Sequence, residues 1–359
     1  MGFVPPGCFF AFARPSDGYL VEVSVLRPGT LLAALACALA FGAPLAEPAR
    51  GQGQPVTAPA VATASGSFLR EADHRVVSIV YRLGLAGRSL CPETFPLTGL
   101  AFHHLGEYRP QDRRQAIARY GVDQGVGILS VVGDSPAARA GIAAGDVILA
   151  VNGSALPAPA QIAAEVDENR RRERMSAAEA LIEDQLRLGP ARLDLLRGGR
   201  PTTVTLGSVP GCPARGRLAR SGQDNAFADG RYAIMTTGFL GFFRTDDELA
   251  VALAHELAHN ILRHPQQLEA QGVPQRGIMR QIGRNARLVR ATEEEADRLS
   301  VRLLAAAGYD LDAIIPFWRR LYARPDAILQ IISAHPSLRV RERIIGEALS
   351  ELRGSAPRR

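Results

Sequence analysis

One segment, DELAVALAHELAHNILRH at 247–264, constrains the fold more than any other part of the chain. Thr245 followed three residues later by Glu248 forms a capping box, which predicts a helix start, and Pro265 predicts the helix end. Apolar residues surround nearly the whole helix, so it must be buried in a core. The two histidines and the glutamate in its second half then need partners inside the protein.

The histidines of this segment, His255 and His259, are four residues apart and therefore stand on the same face of a helix. Two imidazoles in this arrangement can bind one metal ion. The alternative is a pair of core histidines without an ion, but burying them beside Glu256 without a shared partner would be costly. We therefore predict a metal site, with Glu256 offset by one residue so that it reaches a water on the metal.

A third histidine lies at the end of the same segment. His264 follows His259 by five residues and directly precedes Pro265. On a continuous helix this spacing points away from the metal-facing side. We interpret His264 as a C-terminal helix residue that interacts with the helix dipole.

An acidic run downstream, ATEEEADR at 291–298, contains candidates for a further ligand. Glu293 and Asp297 are four residues apart, so they share one helical face. We predict that Glu293 binds the metal and that Asp297 orients a ligand histidine, with Glu294 as an alternative ligand. The other interpretation of this run is a solvated acidic surface. Three protein ligands leave one position for water, as in catalytic zinc sites.

Residues 120–206 are typical of a self-contained module. The β-rich run GVGILSVV at 125–132 precedes SPAARAGIAAGDVILAVNG at 135–153, and a hairpin pattern with two glycines at its turn closes the module at 191–206. The order of strand, short helix, Gly-Asp turn and hairpin resembles the PDZ fold of bacterial proteases. The charged stretch at 168–174 exceeds a minimal PDZ domain, and we interpret it as a solvated helix or loop.

A PDZ domain binds an extended peptide by adding it as a strand to an open sheet edge, while loop amides receive the terminal carboxylate. We expect that loop at 120–127. The peptide tails or strands of substrates are the expected partners of this groove.

The segments HELAH and EEEAD together resemble metallopeptidase family 48, the gluzincin zinc proteases that include HtpX, the CAAX prenyl endopeptidases and BepA-like enzymes. The run NAFADG at 225–230 matches the strand that lines the substrate cleft in that family. HPSLRVR at 335–341 resembles its HP-x4-R signature. The resemblance implies catalytic roles for Glu256, His335 and Arg341, and cleft positions for the residues Asn225, Ala226 and Phe227. His335 and Arg341 are expected near the site, to stabilise an oxyanion or hydrogen-bond a ligand, and His335 alternatively to occupy the open metal position.

The resemblance also implies an α+β fold, with a mainly helical zincin domain, a small edge β-sheet and an inserted β-rich PDZ domain. The expected activity is that of a zinc endopeptidase with one Zn²⁺ per chain, acting on proteins or peptides in quality control or processing. One alternative is a non-catalytic binding or chaperone-like protein with structural zinc, and another is a zinc amidase acting on cell-wall peptides. The expected boundaries are 1–46 for a signal peptide or anchor, 47–66 for a linker, 67–112 with 208–359 for the metallopeptidase domain, and 113–207 for the PDZ domain.

The N-terminal apolar stretch at 31–46, preceded by Arg27 and followed by a Pro- and Gly-rich segment, is typical of a signal peptide. We therefore expect a periplasmic or envelope-associated protein, and an uncleaved segment would associate it with the membrane surface. The net charge of +6 is spread over scattered arginines. This distribution favours a solvated basic surface over a nucleic-acid partner.

Two cysteines remain after such a signal peptide, Cys91 and Cys212. They lie on either side of the predicted module, whose two connections must come together at its base. In an oxidising compartment we expect them to form a disulfide. Closing a loop of this length is worth about 3–5 kcal/mol in the chain-entropy model.

Overall fold

This computed structural model describes residues 61–275, 277–324 and 336–355. The chain divides into two units, Met1–Gly66 and Ser67–Arg359. The predicted signal peptide or anchor at 1–46 lies outside the described residues. Helix α1 (Val61–Ala86) begins within the segment predicted as a linker. Across the described ranges, none of the helices is long and apolar enough to cross a membrane.

The segment that constrained the fold forms helix α6 (Asp246–Ile261), and the Thr245 side chain accepts a hydrogen bond from the Glu248 N–H, as the capping box predicts. The helix ends three residues earlier than expected. Arg263 has a φ of 56°, in the left-handed region, and His264 opens a separate helix, α7 (His264–Ala270). Pro265 is compatible with this second helix because a proline needs no N–H donor in the first turn.

Helix α6 lies at the centre of the main hydrophobic core, where its leucines and alanines are almost fully buried. It packs along α8 (Gly283–Ala306), which in turn packs against α10 (Leu338–Ser355). The apolar composition of α6 thus has the predicted consequence that the helix is enclosed on nearly all sides. The remaining helices of this part are α8 (Gly283–Ala306), α9 (Ile314–Tyr322) and α10 (Leu338–Ser355).

Two small sheets accompany these helices. Strands β1 (Phe95–Leu97) and β8 (Val209–Gly211) pair antiparallel, close to the Cys91–Cys212 disulfide. The Cα atoms of the two cysteines are 5.6 Å apart. The second sheet has the order β10-β11-β9, formed by β9 (Gly216–Ala219), β10 (Ala226–Ala228) and β11 (Ala233–Thr236), with β10 as an outer strand.

The inserted module is built on a larger sheet with its own hydrophobic core. The strand order is β2-β3-β4-β6-β7, with β5 paired to β4. Its strands are β2 (Leu100–His103), β3 (Val126–Val131), β4 (Val147–Val151), β5 (Ser154–Ala155), β6 (Ala191–Arg197) and β7 (Arg200–Leu206). Its helices are α2 (Arg113–Tyr120), α3 (Pro136–Arg139), α4 (Pro159–Ala164) and α5 (Glu168–Leu188).

The sheet order corrects the expected position of the carboxylate-binding loop. The loop at 120–127 leads into β3, which already has β2 on one side and β4 on the other. A Cβ on Gly125 would clash with the carbonyl oxygen of Ile148, so this glycine serves close strand packing. A peptide can add only to an outer strand, and Leu100–His103 is one of the two outer strands of this sheet. This strand precedes residue 113, where the sequence predicted the module to begin.

Candidate metal centre and substrate cleft

Helix α6 carries His255, Glu256 and His259 inside the protein, where they are only 1%, 8% and 9% exposed. The Nε2 atoms of the two histidines are 3.2 Å apart. This proximity follows from the i, i+4 spacing on one helical face. The sequence-predicted histidine pair is therefore brought together, with Glu256 as the direct neighbour of His255.

Helix α8 supplies the third member of the group. The Glu293 carboxylate lies 3.3 Å from His255 Nε2 and 3.5 Å from His259 Nε2. Ligand atoms about 2.0–2.1 Å from a tetrahedral ion are themselves about 3.3–3.4 Å apart, so the three residues fit a zinc ion. Within the described residues, His255, His259 and Glu293 form a group of three side chains that could hold a metal ion, and their candidate ligand atoms all lie within 4.8 Å of one another.

Asp297 and Arg341 contact the members of this group. Asp297 Oδ1 lies 3.0 Å from His255 Nδ1, and Arg341 donates to Asp297 at 3.0 Å and to Glu293 at 3.3 Å. Arg341 is completely buried, with its guanidinium 3.9 Å from the centre of the Trp318 ring. One cation thus neutralises two buried carboxylates that would otherwise repel each other.

The charges around His255 decide its proton affinity in the absence of an ion. Burial alone would lower the pKa of His255, but its hydrogen bonds to Asp297 and Glu293 outweigh that effect and raise the pKa to about 9. The pKa of Arg341 is also raised, because the neighbouring Asp297 and Glu293 overcome the cost of burial. Both carboxylates therefore favour positive charge at this point, whether it is a proton or a metal ion.

The structure overturns the interpretation of His264 as a helix C-terminal residue. His264 is 1% exposed, and its Nδ1 lies 2.9 Å from His259 Nδ1. Its Nε2 lies 3.2 Å from the Glu295 carboxylate. The left-handed turn at Arg263 redirects the chain and brings His264 back beside His259. No helical periodicity that continues through 264 reproduces this contact.

Hydrogen-bond chemistry determines which ring nitrogen of His259 and of His264 carries the proton. If His259 presents the lone pair of Nε2 to a metal, its proton must be on Nδ1, which donates to His264 Nδ1. The proton of His264 is then on Nε2, from which it is donated to Glu295. Burial lowers the pKa of His264, partly offset by Glu295, and this favours the neutral ring that the arrangement requires.

Of the residues predicted to line the cleft, Ala226 and Phe227 lie on the outer strand β10 and Asn225 directly precedes it. This strand packs against α6. Asn225 donates its N–H to Thr236 Oγ1 at 2.9 Å, and the Phe227 side chain is 37% exposed. The turn that follows β10 is attached to helix α6, because the Gly230 N–H donates to Asn260 Oδ1 at 2.9 Å. Asn260 directly follows His259, so the hairpin β10–β11 adjoins the metal centre. No motif in the sequence points to Asn260.

His335 lies outside the described residues. His103 and His104 do not share a metal site among the described residues, since His103 bonds to the Tyr108 hydroxyl at 2.7 Å and His104 to Glu179 at 3.0 Å.

Two histidines one helical turn apart, with a glutamate from a second helix, form a group of the kind that binds the metal in metallopeptidases. The match to family models agrees: residues 210–281 and 276–348 match Peptidase family M48, and residues 127–175 match the PDZ domain. The chain therefore combines an M48 peptidase region with a PDZ domain, in the α+β fold that the sequence predicted.

Two curated relatives carry the name mitochondrial metalloendopeptidase OMA1. The protein of Arabidopsis thaliana is 27% identical over 135 residues, which cover 32% of this chain and 27% of that protein. The protein of Schizosaccharomyces pombe is 30% identical over 155 residues, which cover 37% of this chain and 46% of that protein. The similarity thus spans less than half the length of either relative.

Proposed function

We propose that this protein is a zinc-dependent endopeptidase of the cell envelope that hydrolyses protein or peptide substrates in quality control or processing. The observation that carries the proposal is the group His255, His259 and Glu293, with a carboxylate, Glu256, beside it on the same buried helix. A purely structural zinc site has no use for a buried glutamate between its histidines. This residue therefore favours the enzyme over a non-catalytic binding protein.

His255, His259 and Glu293 are the proposed zinc ligands. Zinc, when bound, supplies a Lewis acid that polarises a carbonyl and makes water acidic at neutral pH. Glu256 is the proposed general base: it accepts the proton of the attacking water and afterwards delivers it to the leaving amine. The buried position of Glu256 keeps its carboxylate away from competing bulk water.

Asp297, Arg341, His264 and Glu295 are proposed to hold the ligands in place. Asp297 fixes the ring of His255, and the pair His264–Glu295 fixes that of His259. Arg341 holds Glu293 directly. Its complete burial and its two carboxylate partners favour this ligand-holding role over stabilisation of an oxyanion.

Strand β10 is proposed to bind the substrate. Among the described residues it is an outer strand paired with β11 alone, so its other edge offers backbone N–H and C=O groups to an extended peptide. Asn225, Ala226 and Phe227 belong to this edge or directly precede it. The exposed part of Phe227 offers apolar contact area for a substrate side chain.

The PDZ module is proposed to recognise substrates or to gate access, through a peptide added at β2. The envelope location rests on the signal-like N-terminal segment and on the Cys91–Cys212 disulfide, a bond typical of oxidising compartments.

The experiment that tests the proposal compares Glu256→Gln with the parent on casein and on a short peptide. The substitution preserves the shape of the side chain but removes its basicity, so proteolysis should fall by about 10²–10⁴-fold or more. Zinc content should stay at that of the parent. Glu269→Gln, at an exposed position of α7, is the matched control and should cleave normally. Equal rates for the parent and Glu256→Gln would refute the assignment.

A further inference from the structure

Helix α5 of the inserted module carries two glutamates that are buried, Glu179 at 1% and Glu183 at 8% exposure. Glutamates are almost never fully buried unless they are paired. Most of their partners lie outside the module, on or just before strands of the three-stranded sheet that contains the proposed substrate strand.

Glu179 is the centre of this cluster. It accepts hydrogen bonds from Arg231 at 3.0 Å, from Arg217 at 3.4 Å and from the Tyr232 hydroxyl. His104, the residue after strand β2, contacts the same carboxylate at 3.0 Å. Glu179 thus joins the module's outer strand, its own helix and the neighbouring sheet at one point.

Glu183, one turn further along α5, strengthens the connection. Arg215 binds it through two hydrogen bonds of 2.6 and 2.7 Å, and Arg231 donates to it at 3.0 Å. A bidentate arginine pair fixes geometry as well as charge. Arg215 precedes β9, and Arg231 precedes β11, so the two glutamates hold both strands.

The residues that bind Glu179 shape the turn of the hairpin β10–β11. Asp229 Oδ1 accepts hydrogen bonds from the N–H groups of Arg231 at 2.8 Å and Tyr232 at 2.7 Å. On the other side of the turn, Gly230 is bonded to Asn260 of the metal-binding helix at 2.9 Å. The hairpin is therefore held between α5 of the module and α6 of the peptidase part.

The electrostatics of the cluster favour an ionised Glu179. Burial alone would raise its pKa, but the hydrogen bond from His104 and the positive charges of Arg217 and Arg231 hold the pKa well below the usual range. The arginines in turn depend on this carboxylate, since losing one member of a buried ion pair leaves the others uncompensated.

We propose that Glu179 is a positioning residue for substrate binding: it holds the hairpin β10–β11 so that the free edge of β10 lies beside the metal centre. The inserted module is then a structural part of the cleft and not only an independent binding domain. This inference rests on the proposed function, because it requires β10 to bind substrate.

The test compares Glu179→Gln with Glu173→Gln, an exposed position on the same helix, in the full-length protein. The substrate is a peptide too short to reach both β10 and the module. For Glu179→Gln, KM should rise on the order of tenfold while kcat and zinc content change little, because the binding that is lost is common to the ground state and the transition state. Glu173→Gln should match the parent. A lower kcat with unchanged KM would indicate only a loss of folded enzyme and would overturn the proposal.

Hydrogen exchange provides a readout that does not depend on activity. In Glu179→Gln, amides at 226–236 should exchange faster than in the parent, while those of α6 stay protected. If the parent cleaves no substrate, the proposed function fails, yet this measurement still decides the positioning role of Glu179. Unchanged exchange at 226–236 would overturn it.

A milder variant covers the case in which Glu179→Gln does not fold. Tyr232→Phe removes one hydroxyl donor from the cluster and keeps the aromatic ring. It should shift KM and the exchange at 226–236 in the same direction by a smaller factor, and the absence of both shifts would contradict the proposal.

Discussion

The metal centre and the boundary between the module and the β9–β11 sheet are both built from buried charges, but they differ in how the sequence encodes them. In the metal centre, His255 and His259 share one helix, and Glu293 and Asp297 share another, each pair four residues apart. At the boundary, Glu179 and Arg231 are 52 positions apart and follow no local period. Local spacing thus reveals the first region, while only the folded chain reveals the second.

The arginines show what this difference means in practice. In the sequence they resemble the other scattered cations, which favoured a solvated basic surface. In the structure the side chains of Arg215 and Arg231 are only 16% and 20% exposed and pair with glutamates of the module. A charge that has no periodic partner nearby carries no information about whether it is solvated or paired across a domain boundary.

The largest expected effect is the loss of zinc affinity when one of the proposed metal ligands is replaced. His259→Ala and Glu293→Ala should each lower zinc affinity by more than about 10–100-fold, the typical cost of losing a residue that merely supports a ligand. Metal analysis of the purified chains measures this. Glu294→Ala, in the same acidic run, is the control and should retain zinc. Full zinc content in both ligand variants would remove the site.

The disulfide at the base of the module has the next largest expected effect. A variant with both Cys91 and Cys212 changed to Ala should lose about 3–5 kcal/mol of unfolding free energy. The reason is that its unfolded chain, without the bond, regains the entropy of a long open loop. Denaturant titration gives the loss, and zinc content should stay unchanged. Finding both thiols free by non-reducing peptide mapping, after expression in an oxidising compartment, would contradict the bond itself.

The smallest effect tests the contact that helical periodicity did not reveal. His264→Ala should weaken zinc binding by about 10–100-fold, because His259 loses the partner that fixes its ring and tautomer. Titration against a zinc-binding dye reports this affinity directly. Glu295→Ala should have a smaller effect in the same direction. An unchanged zinc affinity in His264→Ala would show that the contact has no influence on the metal.

Some parts of the fold follow from the sequence, and others do not. The start of α6, its burial and its ligand face could be predicted because capping and periodicity are local properties. The exact end of α6 could not, since the left-handed residue at Arg263 allows Pro265 to begin a new helix. This single turn separates the observed contact of His264 from the predicted one.

The inserted sheet shows the same limit. Its hairpin and Gly-Asp turn have local signatures, and both are present. The pairing of β2 with β3 joins segments separated by helix α2, so neither the outer strand nor the interior position of β3 was apparent. The interpretation of 120–127 as a peptide-binding loop was wrong because strand order is a long-range property.

The short distance between Cys91 and Cys212 has a consequence for the exchange of modules between proteins. The chain enters and leaves the module at two points whose Cα atoms are 5.6 Å apart. In the host, the part of the protein outside the module, a short turn could join these two points. The host backbone would therefore tolerate an insertion of almost any length. Charge matching is more restrictive than the backbone. A donor domain grafted at this point would also need two carboxylates where Glu179 and Glu183 lie, or it would leave Arg215 and Arg231 of the host without their carboxylate partners.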